Sequence, residues 1–205
     1  MNQATDPDRY DVPAGTGSFQ LTEKRSKFHA VARYVPDEPA CEALLKQKRH
    51  TYHDASHHCF AWRLPHEERS SDAGEPAGTA GRPILDAIRA TGLDYVAVVV
   101  SRYFGGIKLG PGGLKQAYAE AARGALAGAG CETRFHTRIV TVSFEHGDTS
   151  PVHHAAERFE ARPVGSAYGD KVALRFELKR SRTEAFTQSV VEATHGRAQV
   201  YDTEI

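Results

Sequence analysis

The nine residues Gly105–Gly113, GGIKLGPGG, combine the features of a site for a negatively charged group. Five of the nine are glycine, which adopts positive φ readily and lets a ligand approach bare backbone N–H groups. An apolar run precedes the segment and an alanine-rich run follows it, so we predict a turn that leads from a buried strand into a helix. Pro111 suits the first helical position, which would leave Gly112, Gly113 and Leu114 to offer free amides at the positive end of the helix dipole.

Basic residues surround this turn in the sequence. Arg102 precedes it, Lys108 lies within it and Lys115 follows it, and together they could neutralise a phosphate. The predicted anion-binding residues are Arg82, Arg102, Gly105, Gly106, Lys108, Gly110, Gly112, Gly113 and Lys115. The spacing matches neither a Walker loop nor a dinucleotide fingerprint. The alternative is a tight turn whose small residues only allow close packing of helix on strand.

Two carboxylates, Asp72 and Glu75, lie three residues apart in the polar segment Ser70–Pro83. Such a pair can serve as general acid and base or hold a divalent metal, and with His57 or His58 it would make a metal-assisted hydrolase. The same carboxylates can instead accept backbone N–H bonds in glycine-rich turns.

The segment Tyr52–Cys59, YHDASHHC, carries three histidines and one cysteine. His57 and His58 are adjacent on a predicted strand and should point to opposite faces, which disfavours a shared zinc ion. We therefore predict no metal and no cofactor, and one histidine hydrogen-bonded near the loop. Cys41, Cys59 and Cys131 form no closely spaced pair and indicate reduced, mostly buried thiols.

The overall charge shows what kind of binding site to expect. The 205 residues contain 26 basic and 26 acidic side chains, so an anion site must be local rather than a global field. There is no apolar run near the ~18 residues of a membrane span and no secretory signal at the N-terminus. These features predict a cytoplasmic protein without a membrane partner.

Periodicity predicts a first domain over residues 18–134, after a flexible lead-in over residues 1–17. The basic end of its first helix, Lys46, Lys48 and Arg49, is interpreted as stabilising the helix C-terminus. The predicted elements are a strand 26–35, a helix from 37 or 38 to 49, a strand 57–64, a polar loop 65–81, a helix 83–91, a strand 95–104 covered on both faces, the glycine turn and a helix 114–128.

Residues 135–205 form a second predicted domain. Strands are expected at 138–144, 164–168, 172–178 and 199–205, with helices at 151–161 and 185–194. This βαββαβ order is typical of a ferredoxin-like split βαβ unit. The fold class is therefore α+β with two domains.

Several motifs resemble the YigZ/IMPACT family: RSKFHA, HHCFAW, SDAGEPAGTAGRPIL and VVVSRYFGGIKLGPGGL. The resemblance covers residues 18–130, and the remainder looks like the small C-terminal domain of the bacterial members. It implies a first domain with the fold of elongation factor G domain IV and of domain 2 of a ribosomal small-subunit protein. Asp72, Glu75, Arg102 and the glycines match the family pattern, but Ala73 replaces the second aspartate of the usual SDDGEP loop, which argues against a metal role there.

The resemblance implies contact with RNA or the ribosome. The leading hypothesis is a non-enzymatic phosphate or RNA binder linked to translation, whose phosphate contacts read no DNA or RNA sequence. The alternatives are the metal-assisted hydrolase and a regulator that binds a translation factor or scaffold protein. The resemblance also implies a pathway, because eukaryotic relatives restrain the amino-acid-starvation kinase pathway by binding its activating scaffold protein. Those relatives carry an extra N-terminal interaction domain that is not found in this sequence.

Overall fold

The computed structural model describes residues 6–203, which divide into two compact units. Tyr10–Arg134 forms one unit, and residues 135–203 with residues 6–9 form the other. Strand β1, Arg9–Val12, pairs with strand β7, Glu132–Phe135. The flexible lead-in predicted over residues 1–17 is therefore wrong for β1, where Val12 is fully buried, while residues 1–5 lie outside the described part.

The larger unit is built on a five-stranded sheet in the order β2-β3-β6-β4-β5, and every neighbouring pair is antiparallel. Central strand β6 has the sequence VAVVVSRY, and its first seven residues are buried because both faces of the sheet are covered, as predicted. The elements are β2 Gly17–Glu23, β3 Ser26–Tyr34, α1 Glu38–Thr51, β4 His57–Leu64, β5 Glu67–Ser71, α2 Gly81–Thr91, β6 Val96–Tyr103 and α3 Gly110–Ala129.

Helices cover the two faces of this sheet unequally. Helix α1 packs Leu44 and Leu45 on Phe60, Trp62 and neighbouring strand residues of one face. Helices α2 and α3 cover the opposite face and bury the larger apolar cluster. The alternation of side chains along each strand thus assigns every residue of β3, β4 and β6 to either the α1 face or the α3 face.

Helix α3 lies very close to β2, which explains its alanine-rich sequence. A Cβ on Gly17 would lie 1.9 Å from the carbonyl oxygen of Ala125, and one on Gly124 would lie 2.3 Å from the Phe19 ring. The buried face of α3 is accordingly made mostly of alanine. Although α3 has 20 residues, no described helix is both long and apolar enough to cross a membrane.

The predicted structure around β2, β5 and α3 needs correction. Strand β2 was not predicted, and β5 lies inside the predicted loop 65–81 because its sequence, EERSS, has no apolar alternation. Helix α3 begins at Gly110 rather than at Leu114. Pro111 is consequently the second helical residue, and the amide of Leu114 belongs to the regular hydrogen-bonding pattern of the helix.

The smaller unit follows the predicted βαββαβ order. Its four antiparallel strands lie in the order β11-β8-β10-β9, the arrangement of a ferredoxin-like split βαβ unit. Asp8 belongs to this unit, since its carboxylate accepts bonds from the amide and hydroxyl of Ser181. The elements are β8 Thr137–Phe144, α4 Thr149–Arg158, β9 Arg162–Tyr168, β10 Val172–Lys179, α5 Thr183–Ala193 and β11 Gln199–Thr203.

Replacing Gly17 by alanine should destabilise the larger unit by about 2 kcal/mol or more, because the new methyl group must push α3 away from β2. Chemical denaturation measures the effect. Gly15→Ala is the matched control, since its Cβ would lie 4.0 Å from the nearest atom, the Ala129 oxygen. Equal stability of the two variants would contradict the close packing of α3 on β2.

Candidate nucleic-acid interface

The end of β6 is anchored by a buried ion pair between Arg102 and Glu75. The side chains are 5% and 3% exposed, and the Arg102 Nη1 lies 2.6 Å from the Glu75 Oε1. Arg102 is on the α3 face of the sheet, and its Nη2 donates to the Ser26 hydroxyl, which also accepts from the Gly105 amide. The ion pair therefore ties the loop before α2 to the strand that leads into the glycine turn.

Tyr118, which the sequence did not single out, and Cys59, predicted only as a buried thiol, complete this network. The Tyr118 hydroxyl on α3 donates to the Glu75 Oε1 at 2.7 Å, and the Cys59 thiol on β4 donates to that hydroxyl at 3.3 Å. Burial raises the pKa of the Cys59 thiol to about 12 and also raises the pKa of Tyr118. A single tyrosine among the alanines of α3 was the available signal for this contact.

Asp72 has a structural role at the start of α2. Its carboxylate accepts backbone N–H bonds from Gly78, Ala80 and Gly81 at 2.8–2.9 Å. Burial alone would raise the pKa of Asp72, but these amide donors outweigh it and hold the pKa below its ordinary value. The geometry therefore matches the second alternative for Asp72, a carboxylate that accepts backbone N–H bonds in a glycine-rich turn.

Ala73 adopts φ of +45°, a region that aspartate and asparagine tolerate better than alanine. Among residues 6–203 no group of three or more histidine, cysteine, aspartate or glutamate side chains is arranged to hold a metal ion.

His57 and His58 point to opposite faces of β4, as predicted. The His57 Nδ1 lies 3.0 Å from the Ala73 carbonyl, and its Nε2 is 4.0 Å from the Glu75 carboxylate. The His58 Nδ1 lies 2.9 Å from the Ser101 hydroxyl on the α1 face. His57 is therefore the histidine that joins the loop and the ion pair.

The glycines of the turn differ in what they do. A Cβ on Gly105 would lie 2.1 Å from the backbone of Arg25, so this glycine allows close packing. Gly106 and Gly110 have φ of +83° and +73°, which favours glycine. Gly112 has neither constraint, because its φ is not positive and a Cβ there would meet nothing within 4 Å. The fold therefore does not need a glycine at residue 112.

A cavity of about 410 Å³ opens at the N-terminus of α3. The N-cap residue of α3, Leu109, makes no side-chain capping bond, and Gly110 and Gly112 are exposed. Arg102 lines the cavity, and its buried Nε has no hydrogen-bond partner among the described residues. The lining residues are His57, Pro76, Arg102, Phe104, Lys108, Leu109, Gly110, Pro111 and Leu114.

The four cations predicted to bind an anion at the glycine turn do not all lie free beside it. Arg102 is buried and paired, which corrects its interpretation as a free cation for phosphate. Arg82 is paired with Asp86 one turn along α2, and Lys115 lines a separate groove between α2 and α3. Of the four, Lys108 is the exposed cation that lines the cavity.

Replacing Glu75 by glutamine should destabilise the protein by about 3 kcal/mol, because it leaves the Arg102 charge buried without a carboxylate. Urea denaturation measures the change in the free energy of unfolding. Glu120→Gln, at an exposed position of α3, serves as the control and should change it by less than about 0.5 kcal/mol. A Glu75 variant as stable as the control would mean that the ion pair does not anchor the loop.

The lowered pKa of Asp72 makes its contribution depend on pH. That contribution is present above the ordinary carboxyl pKa of 3.8 and is lost as pH falls through the lower value of the folded state. The stability difference between the native protein and Asp72→Asn should therefore be constant from pH 7 to about pH 5 and shrink below about pH 4. A difference unchanged down to pH 2 would contradict this role.

Two protein-family models together match most of this chain. The model of the Impact N-terminal domain matches residues 24–126, and that of a domain of unknown function, DUF1949, matches residues 142–197. The IMPACT family member YigZ of Escherichia coli is 29% identical over 92% of this chain and 95% of its own. An IMPACT family member of Thermus thermophilus is 38% identical over 78% of this chain and 96% of its own.

A solved structure described as a hypothetical protein is similar along its whole length. It covers 96% of this chain and 98% of its own, with 28% identity and a TM-score of 0.69. The two-domain mixed architecture is shared, and the matched domain spans the loop of Asp72 and Glu75, the ion pair and the glycine turn. The chain belongs to the IMPACT family.

Proposed function

We propose that the protein is a non-enzymatic, cytoplasmic RNA- or ribosome-binding protein that acts in translation or its regulation. The observation that carries the proposal is the uncapped N-terminus of α3, which opens into a cavity beside Lys108. Its free amides and the helix dipole favour a phosphate group. The link to translation comes from the family resemblance.

Gly112 supports this interpretation. Glycine within a helix costs roughly 0.5–1 kcal/mol relative to alanine, and the structure gives no steric or conformational reason for it here. Gly112 is exposed next to the cavity-lining Pro111, and it lines the neighbouring groove between α2 and α3 together with Lys115. Arg102 also lines this cavity; its guanidinium is paired with Glu75, and its buried Nε has no hydrogen-bond partner among the described residues.

The metal-assisted hydrolase receives less support from the geometry. The Asp72 oxygens accept three backbone bonds, and Glu75 is engaged by both Arg102 and Tyr118. Neither carboxylate is free to bind a metal or move a proton without breaking the loop.

A protein-binding regulator is the second candidate. Phe104, which directly precedes the glycine turn, and Ile107, which lies within it, are 49% and 44% exposed. Exposed apolar side chains of this size are typical of contact surfaces for other proteins. A translation factor or scaffold protein would bind through these two side chains rather than through the amides of α3.

Replacing Gly112 by glutamate separates a binding role of the helix N-terminus from a structural one. A glutamate at the third helical position stabilises the helix by about 0.5 kcal/mol or more, yet its charge repels a phosphate. We expect at least tenfold weaker binding to a single-stranded oligoribonucleotide, measured by fluorescence anisotropy, with an unchanged or higher melting temperature. Gly147→Glu introduces the same charge at an exposed position of the other unit and should bind normally.

In the same assay, Lys108→Ala should weaken binding and reduce the slope of log affinity against log salt by about 0.7, the value for one phosphate of a single strand. Lys171→Ala, in the other unit, should leave the slope unchanged. Native affinity in both Gly112→Glu and Lys108→Ala would refute the proposed site. If RNA binding is lost while a protein partner is retained, Phe104 and Ile107 form a distinct surface.

A further inference from the structure

A second surface of the larger unit carries basic and aromatic side chains on the opposite face of the sheet from the α3 cavity. We define the basic sheet face by Lys27, His29, Arg33, Lys48, Tyr52 and Tyr103. Residues 27, 29 and 33 alternate along β3 on the α1 face, and Tyr103 lies opposite Lys27 in the register of β3 and β6. Lys48 and Tyr52 are one turn apart at the end of α1, since the Tyr52 amide bonds to the Lys48 carbonyl.

The cations of this face have no neutralising partners. Elsewhere in the protein, arginines such as Arg63, Arg69 and Arg89 are paired with carboxylates. Lys27, Arg33 and Lys48 make no ion pair in the part of the chain that the structure describes, although Arg33 and Lys48 are close enough for their charges to repel. Three cations close together produce a local positive potential, which favours an anionic partner.

Beside β3, this face carries uncharged polar side chains. The side chains of β2 that share it are Ser18, Gln20 and Thr22, and Gln20 lies opposite His29 in the sheet. The nearby carboxylate is Asp54, which accepts a bond from the Tyr103 hydroxyl at 2.7 Å. The face is therefore polar and basic where α1 leaves the sheet uncovered.

Three aromatic rings lie among these charges. His29 stacks on Tyr52 with a centroid distance of 5.0 Å and an interplanar angle of 26°, and Tyr103 meets His29 edge-on at 5.7 Å. All three are partly exposed. Burial, with Lys27 as a second cause, lowers the pKa of His29, so the ring is neutral at pH 7 and suited to stacking.

We propose that the basic sheet face binds single-stranded RNA, with a base extending the His29–Tyr52 stack and backbone phosphates on Lys27, Arg33 and Lys48. Positive grooves with interleaved aromatic rings are the usual means of binding single strands. An acidic peptide would leave the ring stack unused, and a membrane would require apolar side chains that the face does not offer. This site lies on the other face of the sheet from the α3 cavity and adds phosphate contacts that Lys108 alone cannot supply.

We interpreted one part of this surface differently from its sequence alone. We expected Lys46, Lys48 and Arg49 to stabilise the C-terminus of α1 through the helix dipole. That role explains residues on the helix itself, but Lys27 and Arg33 lie on β3 and do not extend the last turn of α1. Cations from β3 and α1 therefore lie together on one surface and contribute to the same positive electrostatic potential.

Crosslinking of a 12-residue oligouridylate that contains 4-thiouridine, followed by mass spectrometry, tests the proposal. We expect crosslinks on peptides that contain His29, Tyr52 or Tyr103. Tyr52→Leu should lower the affinity about tenfold or more, whereas Tyr52→Phe, which keeps the ring, should bind within about twofold of the native protein. Lys27→Ala, Arg33→Ala and Lys48→Ala should each reduce the salt slope by about 0.7.

Lys46→Ala is the matched control for Lys48→Ala, because side chains two residues apart on a helix do not share a face. Melting temperatures confirm that each variant is folded. Native affinity in Tyr52→Leu and the three cation variants, or equal competition by oligoglutamate or anionic vesicles, would overturn the proposal. Gly112→Glu should leave the crosslinks at this face intact, so failure here is distinguishable from failure of the α3 site.

Discussion

The buried ion pair between Arg102 and Glu75 is the interaction on which the rest of the larger unit depends. It joins Arg102 of the central strand β6 to Glu75 in the loop before α2. In the same loop, the Asp72 carboxylate accepts bonds from the first amides of α2. Removing either of two buried, paired charges destabilises the protein, because the remaining charge is left with neither solvent nor a partner. The strand, the loop and the tyrosine of α3 are thereby held in one arrangement.

This arrangement explains why the residues that look most reactive in the sequence are structural. Glu75 accepts from an arginine and a tyrosine, and Asp72 accepts from three amides. Chemistry that required either carboxylate to change protonation or ligand would first have to break the loop. What remains available on the same side of the sheet is bare backbone at the start of α3 and a lysine beside it.

Periodicity was sufficient for much of the fold. The run VAVVV predicted a strand covered on both faces, and the βαββαβ order of the smaller unit followed from alternating segments separated by helical ones. Strand β5 could not be found in this way, because an edge strand with the sequence EERSS owes its structure to hydrogen bonds with β4 and not to burial. The partner of Arg102 is 27 residues away in sequence, so its burial depended on the tertiary fold.

The two units do not follow one another in the sequence. Residues 6–9 belong with residues 135–203, so the larger unit is an insertion within the sequence of the smaller one. The two crossing points lie on β1 and β7, which pair with each other, so the ends of the insertion are neighbours. Excision of residues 10–134 with a short linker would keep Asp8 beside Ser181, whereas truncation at residue 135 would remove that carboxylate from its own unit.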